Sequence, residues 1–134
     1  MIKKIDHIGI AVRDLDAAVA VWEATLGMRH VATEVVEGEK VRVAKLAAGD
    51  DVVELLEPMS DDSPISGFLA RRGGGIHHIC LEVDDIETTL ARLKAAGLRL
   101  IDEAPKRGAG GAKIAFVHPK SASGVLIELS EKEA

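Results

Sequence analysis

The sequence predicts an α+β protein of 134 residues built from two tandem βαβββ modules. The first observation is a strand-like segment that occurs twice, each time with a histidine near its start: a shift of 71 positions places His7 on His78. The second is a later strand-like segment that recurs at a shift of 74 positions and places Glu54 on Glu128. Because two separate motifs repeat in the same order at nearly the same spacing, we interpret the chain as a duplication.

The first module is assigned to residues 1–57. Residues 3–12 alternate as a strand, with His7 among small residues on one face and β-branched residues on the other. Asp14 is a suitable N-cap for an amphipathic helix over 15–26, which Gly27 ends. Three β segments complete the module, at 30–36, 41–46 and 52–56.

A linker helix within 58–74 joins the modules, because Ser63 and Pro64 suit the cap and the first position of a helix. The second module, 75–134, repeats the pattern: a strand, a helix from Ile86 that Gly97 ends, a strand at 98–101, a loop at 103–111, and strands at 113–118 and 124–130. The modules are expected to form a curved, partly closed, mixed and antiparallel sheet, a cup with its helices outside.

Length and composition favour one domain over 1–134. The net charge of −5 and the scarcity of aromatic residues argue against nucleic-acid binding. No apolar run is long enough to span a membrane, and the N-terminus has no signal-peptide pattern. A lone cysteine, Cys80, permits no disulfide within the chain. These features predict a cytoplasmic protein.

The repeated residues predict a metal site. If the modules pair about a pseudo-two-fold axis, His7, Glu54, His78 and Glu128 converge from four strands. Two imidazoles and two carboxylates suit a divalent ion such as Zn²⁺, Co²⁺, Ni²⁺, Mn²⁺ or Fe²⁺, and they leave coordination positions open for substrate. His77 aligns with Asp6 and has the other strand parity, so it is not expected to be a ligand. Neither are the unrepeated His30 and His118.

The His…Glu…His…Glu order on paired βαβββ modules resembles the vicinal oxygen chelate superfamily, also called the glyoxalase/bleomycin resistance/dioxygenase superfamily. Longer runs resemble its methylmalonyl-CoA epimerases, and they lie at residues 5–10, 53–58, 75–79, 118–120 and 124–129. The resemblance implies interconversion of (R)- and (S)-methylmalonyl-CoA, a divalent metal, with Co²⁺ favoured, and a homodimer. Chelation of both substrate oxygens would stabilise the enolate that forms when the C2 proton leaves.

One departure concerns the acid and the base. Some members of this family carry a glutamine at the position of Glu54 and a third-strand glutamate at the position of Val43, whereas the nearest carboxylate here, Glu39, lies in a turn. We therefore expect Glu128 and Glu54 to handle the two protons, as in glyoxalase I. Glu128 is favoured more strongly, because the family also uses that position.

Three alternatives remain open at this point. They are a glyoxalase I-like lyase acting on a glutathione thiohemiacetal, a ring-cleaving dioxygenase, and a non-enzymatic drug-binding protein of the same fold. The dioxygenase typically uses two histidines and one carboxylate, whereas Glu is repeated here.

Basic residues suggest contacts with an anionic small molecule, a CoA thioester. Lys45 shares the parity of Val43 and either meets the substrate carboxylate or is an exposed strand lysine. Four further basic residues either contact the CoA phosphates or are solvated surface: Arg71, Arg72, Lys106 and Arg107.

Overall fold

The computed structural model describes residues 1–133, with eight strands and three α-helices in that part of the chain. The elements are β1 Ile2–Ala11, α1 Leu15–Ala20, β2 Arg29–Val36, β3 Val41–Ala48, β4 Asp51–Pro58, α2 Pro64–Arg72, β5 Gly75–Val83, α3 Ile86–Ala95, β6 Lys106–Arg107, β7 Lys113–Val117 and β8 Ile127–Glu131. The α+β class is therefore confirmed. The chain divides into two compact units: the first unit is His7–His77, and the second unit is Met1–Asp6 with the chain from His78 onwards.

The first unit contains a mixed sheet in the order β2-β3-β4-β1. β3 pairs antiparallel with β2 and β4, and β1 pairs parallel with β4. The helix-side face of the sheet packs with α1 in a core cluster of Leu15, Ala44, Leu46 and Leu55. Trp22 is packed against this cluster. The opposite face of β1 carries His7, Gly9 and Ala11, which share that face as the alternation predicts, and the structure shows all three buried.

The second unit repeats this plan with the order β5-β8-β7-β6. β5 pairs parallel with β8, and β7 pairs antiparallel with β8 and β6. Its core is a separate cluster of residues from α3 and three strands: Val83, Ile86, Leu90, Ala115, Val117 and Leu129. Cys80, the lone cysteine, is a buried thiol outside any disulfide, as expected of a mid-strand cysteine.

The helix ends follow the sequence signals. Asp14 and Asp85 cap α1 and α3 through their side chains, which accept from Ala17 N and Thr88 N. The chain leaves these helical segments at Gly27 (φ +82°) and Gly97 (φ +86°), in the left-handed conformation that glycine adopts without strain. Ser63 caps α2, and Pro64 occupies its first position.

The helix predicted over 15–26 is α-helical only to Ala20 and continues as a π-turn over Val21–Thr25. The wider turn is visible in the bond from Leu26 N to Val21 O, at 2.9 Å. After a bond from Gly27 N to Glu23 O at 3.2 Å, Met28 N donates to Trp22 O at 3.0 Å, and both Met28 and Trp22 pack against the first unit's core. Hydrophobic spacing predicts a helix here, but it does not distinguish the two turn widths.

The strand predicted at 98–101 is wrong, since only an isolated bridge between Leu100 and Val117 forms there. The carboxylate of Asp102 accepts a hydrogen bond from Phe116 N at 2.9 Å and so occupies a donor of β7 that a strand partner would use. The fourth strand of this sheet is instead β6, within the predicted loop. The last strand begins at Ile127 rather than 124, and the linker helix occupies only Pro64–Arg72.

Candidate active site

In the first unit, β1 and β4 bring an imidazole and a carboxylate together. Their parallel register places Gly9 beside Glu54, so His7, two residues earlier on the same face, lies within reach. His7 Nε2 is 3.3 Å from Glu54 Oε1. Both residues are buried, with exposed fractions of 5% and 6%. Burying a carboxylate without such a partner costs free energy, so the contact with His7 stabilises Glu54 at this buried position.

The second unit contains the equivalent pair. The parallel register of β5 and β8 places Cys80 beside Glu128, and His78 again lies two residues earlier. His78 Nε2 is 3.0 Å from Glu128 Oε1, and both residues are buried. The ring of Phe116 meets the His78 ring edge-on, with centroids 6.0 Å apart. The duplication inferred from sequence thus produces the same local geometry twice.

The other histidines have different surroundings. His77 is half-buried and packs edge-on against Phe68, with centroids 5.0 Å apart. His30 Nε2 lies 2.8 Å from Thr33 Oγ1. His118 Nδ1 accepts a hydrogen bond from Lys120 N, and desolvation lowers the pKa of His118, with smaller contributions from nearby cationic side chains.

The two pairs have the right chemistry and spacing for a divalent metal. Two ligand atoms bound about 2.1 Å from one ion lie about 3.0 Å apart at a right angle and about 3.4 Å apart at the tetrahedral angle. The nitrogen–oxygen separations in the pairs are 3.3 Å and 3.0 Å, within that range. Each pair can therefore supply two adjacent ligands of a metal ion without rearranging.

Lys45 lies on the same face as the first pair. The antiparallel register of β3 and β4 places it directly opposite Glu54. It is exposed, although Val43 and Ala47 on either side of it are buried. The sequence-based expectation that Lys45 shares the face of Val43 agrees with this register.

The four remaining basic candidates lie in two places. Arg71 and Arg72 occupy the last turn of α2, exposed, and the Arg72 guanidinium lies 5.8 Å from the centroid of the Phe68 ring. Lys106 Nζ is 3.3 Å from Asp102 Oδ1 and 5.2 Å from the centroid of Phe116.

Arg107 makes two hydrogen bonds. Its Nη1 donates to Gly111 O at 2.6 Å and to Glu133 Oε1 at 3.2 Å. It also lines a groove of about 570 Å³ in the second unit, together with four acidic and three further basic side chains: Glu82, Asp84, Glu131, Glu133, Lys3, Lys113 and Lys132. The lining therefore carries four cationic and four anionic side chains, and these formal charges cancel.

A second repeated pair of glutamates was missed by the sequence analysis. Glu57 Oε2 accepts from Leu15 N at 2.8 Å, and Glu131 Oε1 accepts from Ile86 N at 2.9 Å. Each carboxylate thus satisfies a free N–H group in the first turn of the helix in its own unit. The signal was available, because Glu57 and Glu131 are also 74 positions apart.

No helix in the described part of the chain is long and apolar enough to cross a membrane.

Comparison with known proteins identifies the family. The model of the Glyoxalase/Bleomycin resistance protein/Dioxygenase superfamily matches residues 6–116. The ethylmalonyl-CoA/methylmalonyl-CoA epimerase of Cereibacter sphaeroides is 43% identical over 133 residues, which cover 98% of this chain and 99% of the relative.

Solved structures of epimerases have the same fold. A variant of Streptomyces coelicolor methylmalonyl-CoA epimerase in complex with 2-nitronate-propionyl-CoA matches with a TM-score of 0.93 and 40% identity, over 100% of this chain and 97% of that one. A methylmalonyl-CoA epimerase in complex with methylmalonyl-CoA and NH4+ matches with the same score, identity and coverage. The resemblance read from the sequence is confirmed: the chain belongs to the Glyoxalase/Bleomycin resistance protein/Dioxygenase superfamily and, within it, to the methylmalonyl-CoA epimerase family of enzymes.

Proposed function

We propose that this enzyme interconverts the (R) and (S) epimers of methylmalonyl-CoA. The observation that carries the proposal is the pair of buried His–Glu contacts at repeated positions, His7 with Glu54 and His78 with Glu128. Membership of the epimerase family supplies the substrate class, since relatives with about 40% identity over nearly the whole chain bear that name.

The proposed cofactor is one divalent metal ion held by His7, Glu54, His78 and Glu128, with Co²⁺ favoured and Zn²⁺, Ni²⁺ or Mn²⁺ as other candidates. The proposal requires the two pairs to share one ion. When bound, such an ion acts as a Lewis acid toward the substrate oxygens and stabilises the negative charge that develops as the C2 proton leaves. The four side chains leave positions open for those oxygens.

Proton transfer is proposed for the same two carboxylates. Epimerisation needs a base that removes the C2 proton from one face and an acid that returns a proton to the other. Glu128 and Glu54 come from equivalent strands of the two units, so each would serve one face. At the position where some relatives carry a third-strand glutamate, this chain has the buried Val43. A nitronate has a planar C2 with its negative charge delocalised onto oxygen atoms, as in an enolate, and its use as a ligand of a relative fits this chemistry.

The CoA part of the substrate is proposed to contact basic residues at its phosphates. Arg71 and Arg72 are the best placed, because they project from the end of α2. Lys106 and Arg107 would first have to exchange their contacts with Asp102 and Glu133.

A cytoplasmic homodimer that binds neither nucleic acid nor membrane is proposed as the working form. The lone cysteine supports the compartment, and the epimerase family resemblance supports the dimer. Light scattering on the eluting peak of a size-exclusion column measures the oligomeric state. A mass of one chain at micromolar concentration would contradict the dimer.

The function is tested by mixing (R)-methylmalonyl-CoA with the enzyme and following the (S) epimer with an (S)-specific coupling enzyme. We expect conversion that a chelator abolishes and added Co²⁺ restores. A parallel assay with methylglyoxal and glutathione tests the glyoxalase I-like lyase, which would use the same ligands. Activity in the second assay alone would replace the proposal, and no activity in either assay with Co²⁺ present would refute it.

A further inference from the structure

We infer that Lys45 binds the free carboxylate of the acyl group and thereby selects CoA thioesters that carry one. The inference rests on the proposed function and names a specificity-determining residue of the same site.

The position of Lys45 follows from strand register. In β3, the even-numbered Ala44 and Leu46 face the helix-side core of the first unit, so the odd-numbered residues face the other way. Lys45 is one of these, and its partner across the ladder is Glu54. Directly paired side chains have Cβ atoms about 4.5–5.5 Å apart. The ammonium group is therefore carried beside the buried His7–Glu54 pair.

The surroundings of Lys45 leave its charge available. Its neighbours along the strand are Val43 and Ala47, and its partner on β2 is Ala32, so three of the four nearest positions are small or apolar. Glu54 is already in contact with His7. No ion pair or hydrogen bond engages the Lys45 ammonium within residues 1–133. A flexible four-carbon side chain with three donors can then turn to a ligand.

The charge balance of the proposed site creates a need for this cation. Two glutamates neutralise the two positive charges of a divalent ion, so a substrate carboxylate would arrive at a centre with no net charge. A cation near Glu54 compensates the added negative charge, which is poorly screened at a partly buried site. Lys45 is the residue on this face of β3 that can supply it.

The equivalent position in the second unit is different. There the ladder partner of Glu128 is Phe116, a half-buried aromatic side chain. The residue across the ladder is therefore a cation beside Glu54 and an aromatic ring beside Glu128, and Lys106, which pairs with Asp102, lies 5.2 Å from the centroid of that ring. A methylmalonyl group is also unequal on its two sides, with a carboxylate on one arm of C2 and a thioester on the other. Matching the charged arm to Lys45 would fix the orientation of the substrate.

The test compares two ligands that differ only where Lys45 should act. Malonyl-CoA has a carboxylate where propionyl-CoA has a methyl group. Titration calorimetry with the cobalt-loaded enzyme measures both affinities for wild type, Lys45→Met and Lys45→Arg. We expect Lys45→Met to weaken malonyl-CoA binding by about 10-fold and to change propionyl-CoA binding by less than about 2-fold. Lys45→Arg should recover part of the loss.

Lys4→Met is the matched control, because Lys4 is an exposed lysine on β1 with the parity opposite to that of His7. It should bind both esters as wild type does. Equal weakening of both ligands by Lys45→Met, or no weakening, would overturn the inference, and so would a wild-type enzyme that does not prefer malonyl-CoA. Epimerase activity of the same wild-type preparation is measured separately. A Lys45-dependent preference without that activity would refute the proposed function and keep the inference.

Discussion

The two units share one arrangement of strands and helix but differ in a residue next to the candidate site. In both, a parallel strand pair joins a histidine to a glutamate, at 3.3 Å in the first unit and 3.0 Å in the second. In both, a second glutamate on the same strand accepts a hydrogen bond from a helix N-terminus. The neighbour across the ladder has diverged, to Lys45 in one unit and Phe116 in the other.

This contrast distinguishes the roles of the duplicated residues from those of the diverged residues. In the proposed metal site, the duplicated residues would provide nitrogen and oxygen ligands in pairs. The diverged residues are where the two sides of an unsymmetrical substrate can be told apart. We therefore expect that substituting a duplicated residue has a similar effect in either unit. Substituting a diverged residue should affect the binding of only one side of the substrate.

The largest effect is expected at the histidines. His7→Ala and His78→Ala should each reduce cobalt affinity and epimerase activity by at least about 100-fold, since even residues that only support a metal ligand contribute 10–100-fold. Mass spectrometry of bound metal and the coupled assay measure the two quantities. His30→Ala is the control, because His30 is a strand-end histidine that forms a hydrogen bond with Thr33. Its cobalt affinity and epimerase activity should stay near those of wild type. Loss of metal from only one of the two variants would show that the pairs do not share an ion.

A smaller and more selective effect is expected at the glutamates. Glu54→Gln and Glu128→Gln should each slow solvent deuterium exchange at C2 by about 100-fold or more, each for a different epimer, because each carboxylate is proposed to serve one face of the substrate. Exchange into the separate (R) and (S) epimers is followed by mass spectrometry.

Glu39→Gln serves as the comparison for this pair, since Glu39 is the carboxylate nearest in sequence to Val43. If Glu54→Gln left both exchange rates near wild type, Glu54 would be a ligand only. Slowed exchange in Glu39→Gln would make Glu39 the second acid or base.

The smallest effect is expected at the capping glutamates. Glu131→Gln should lower the free energy of unfolding by about 1 kcal/mol, and Glu57→Gln by more, about 1–2 kcal/mol. The reason is that Glu57 also accepts from Arg42 Nη1 at 3.0 Å. Urea denaturation measures both values. In an Arg42→Met background the two costs should become equal, and a difference that persists there would contradict this explanation.

Much of the fold could be predicted because its signals are local. Asp14, Asp85 and Ser63 are caps that the residue type and its position specify. The alternation around His7 correctly predicted that His7, Gly9 and Ala11 share one face of β1. Repetition added long-range information that single motifs lack, since it picked out one histidine and one glutamate per unit from the five histidines and many acids of the chain.

The features that the sequence did not predict depend on residues that are distant in sequence. The apolar spacing of 98–101 suits a strand, but Asp102 takes the backbone N–H of Phe116 that would extend the ladder. The facing of Lys45 and Glu54, and of Phe116 and Glu128, is a matter of register, which turn lengths alone do not specify here. The helix-capping role of Glu57 and Glu131 was missed because it joins the end of one strand to a helix about 40 residues earlier.

The two glutamates on β4, and the two on β8, also favour the correct strand register during folding. Glu54 and Glu57 are three residues apart, so their side chains leave opposite faces of β4, one toward His7 and one toward α1. The same holds for Glu128 and Glu131 in β8. A slip of one residue would send each carboxylate to the wrong face, which would bury one charge among apolar side chains and leave a helix end uncapped. A strand in the wrong register therefore loses stability in two ways, and this favours correct strand pairing before any metal or substrate binds.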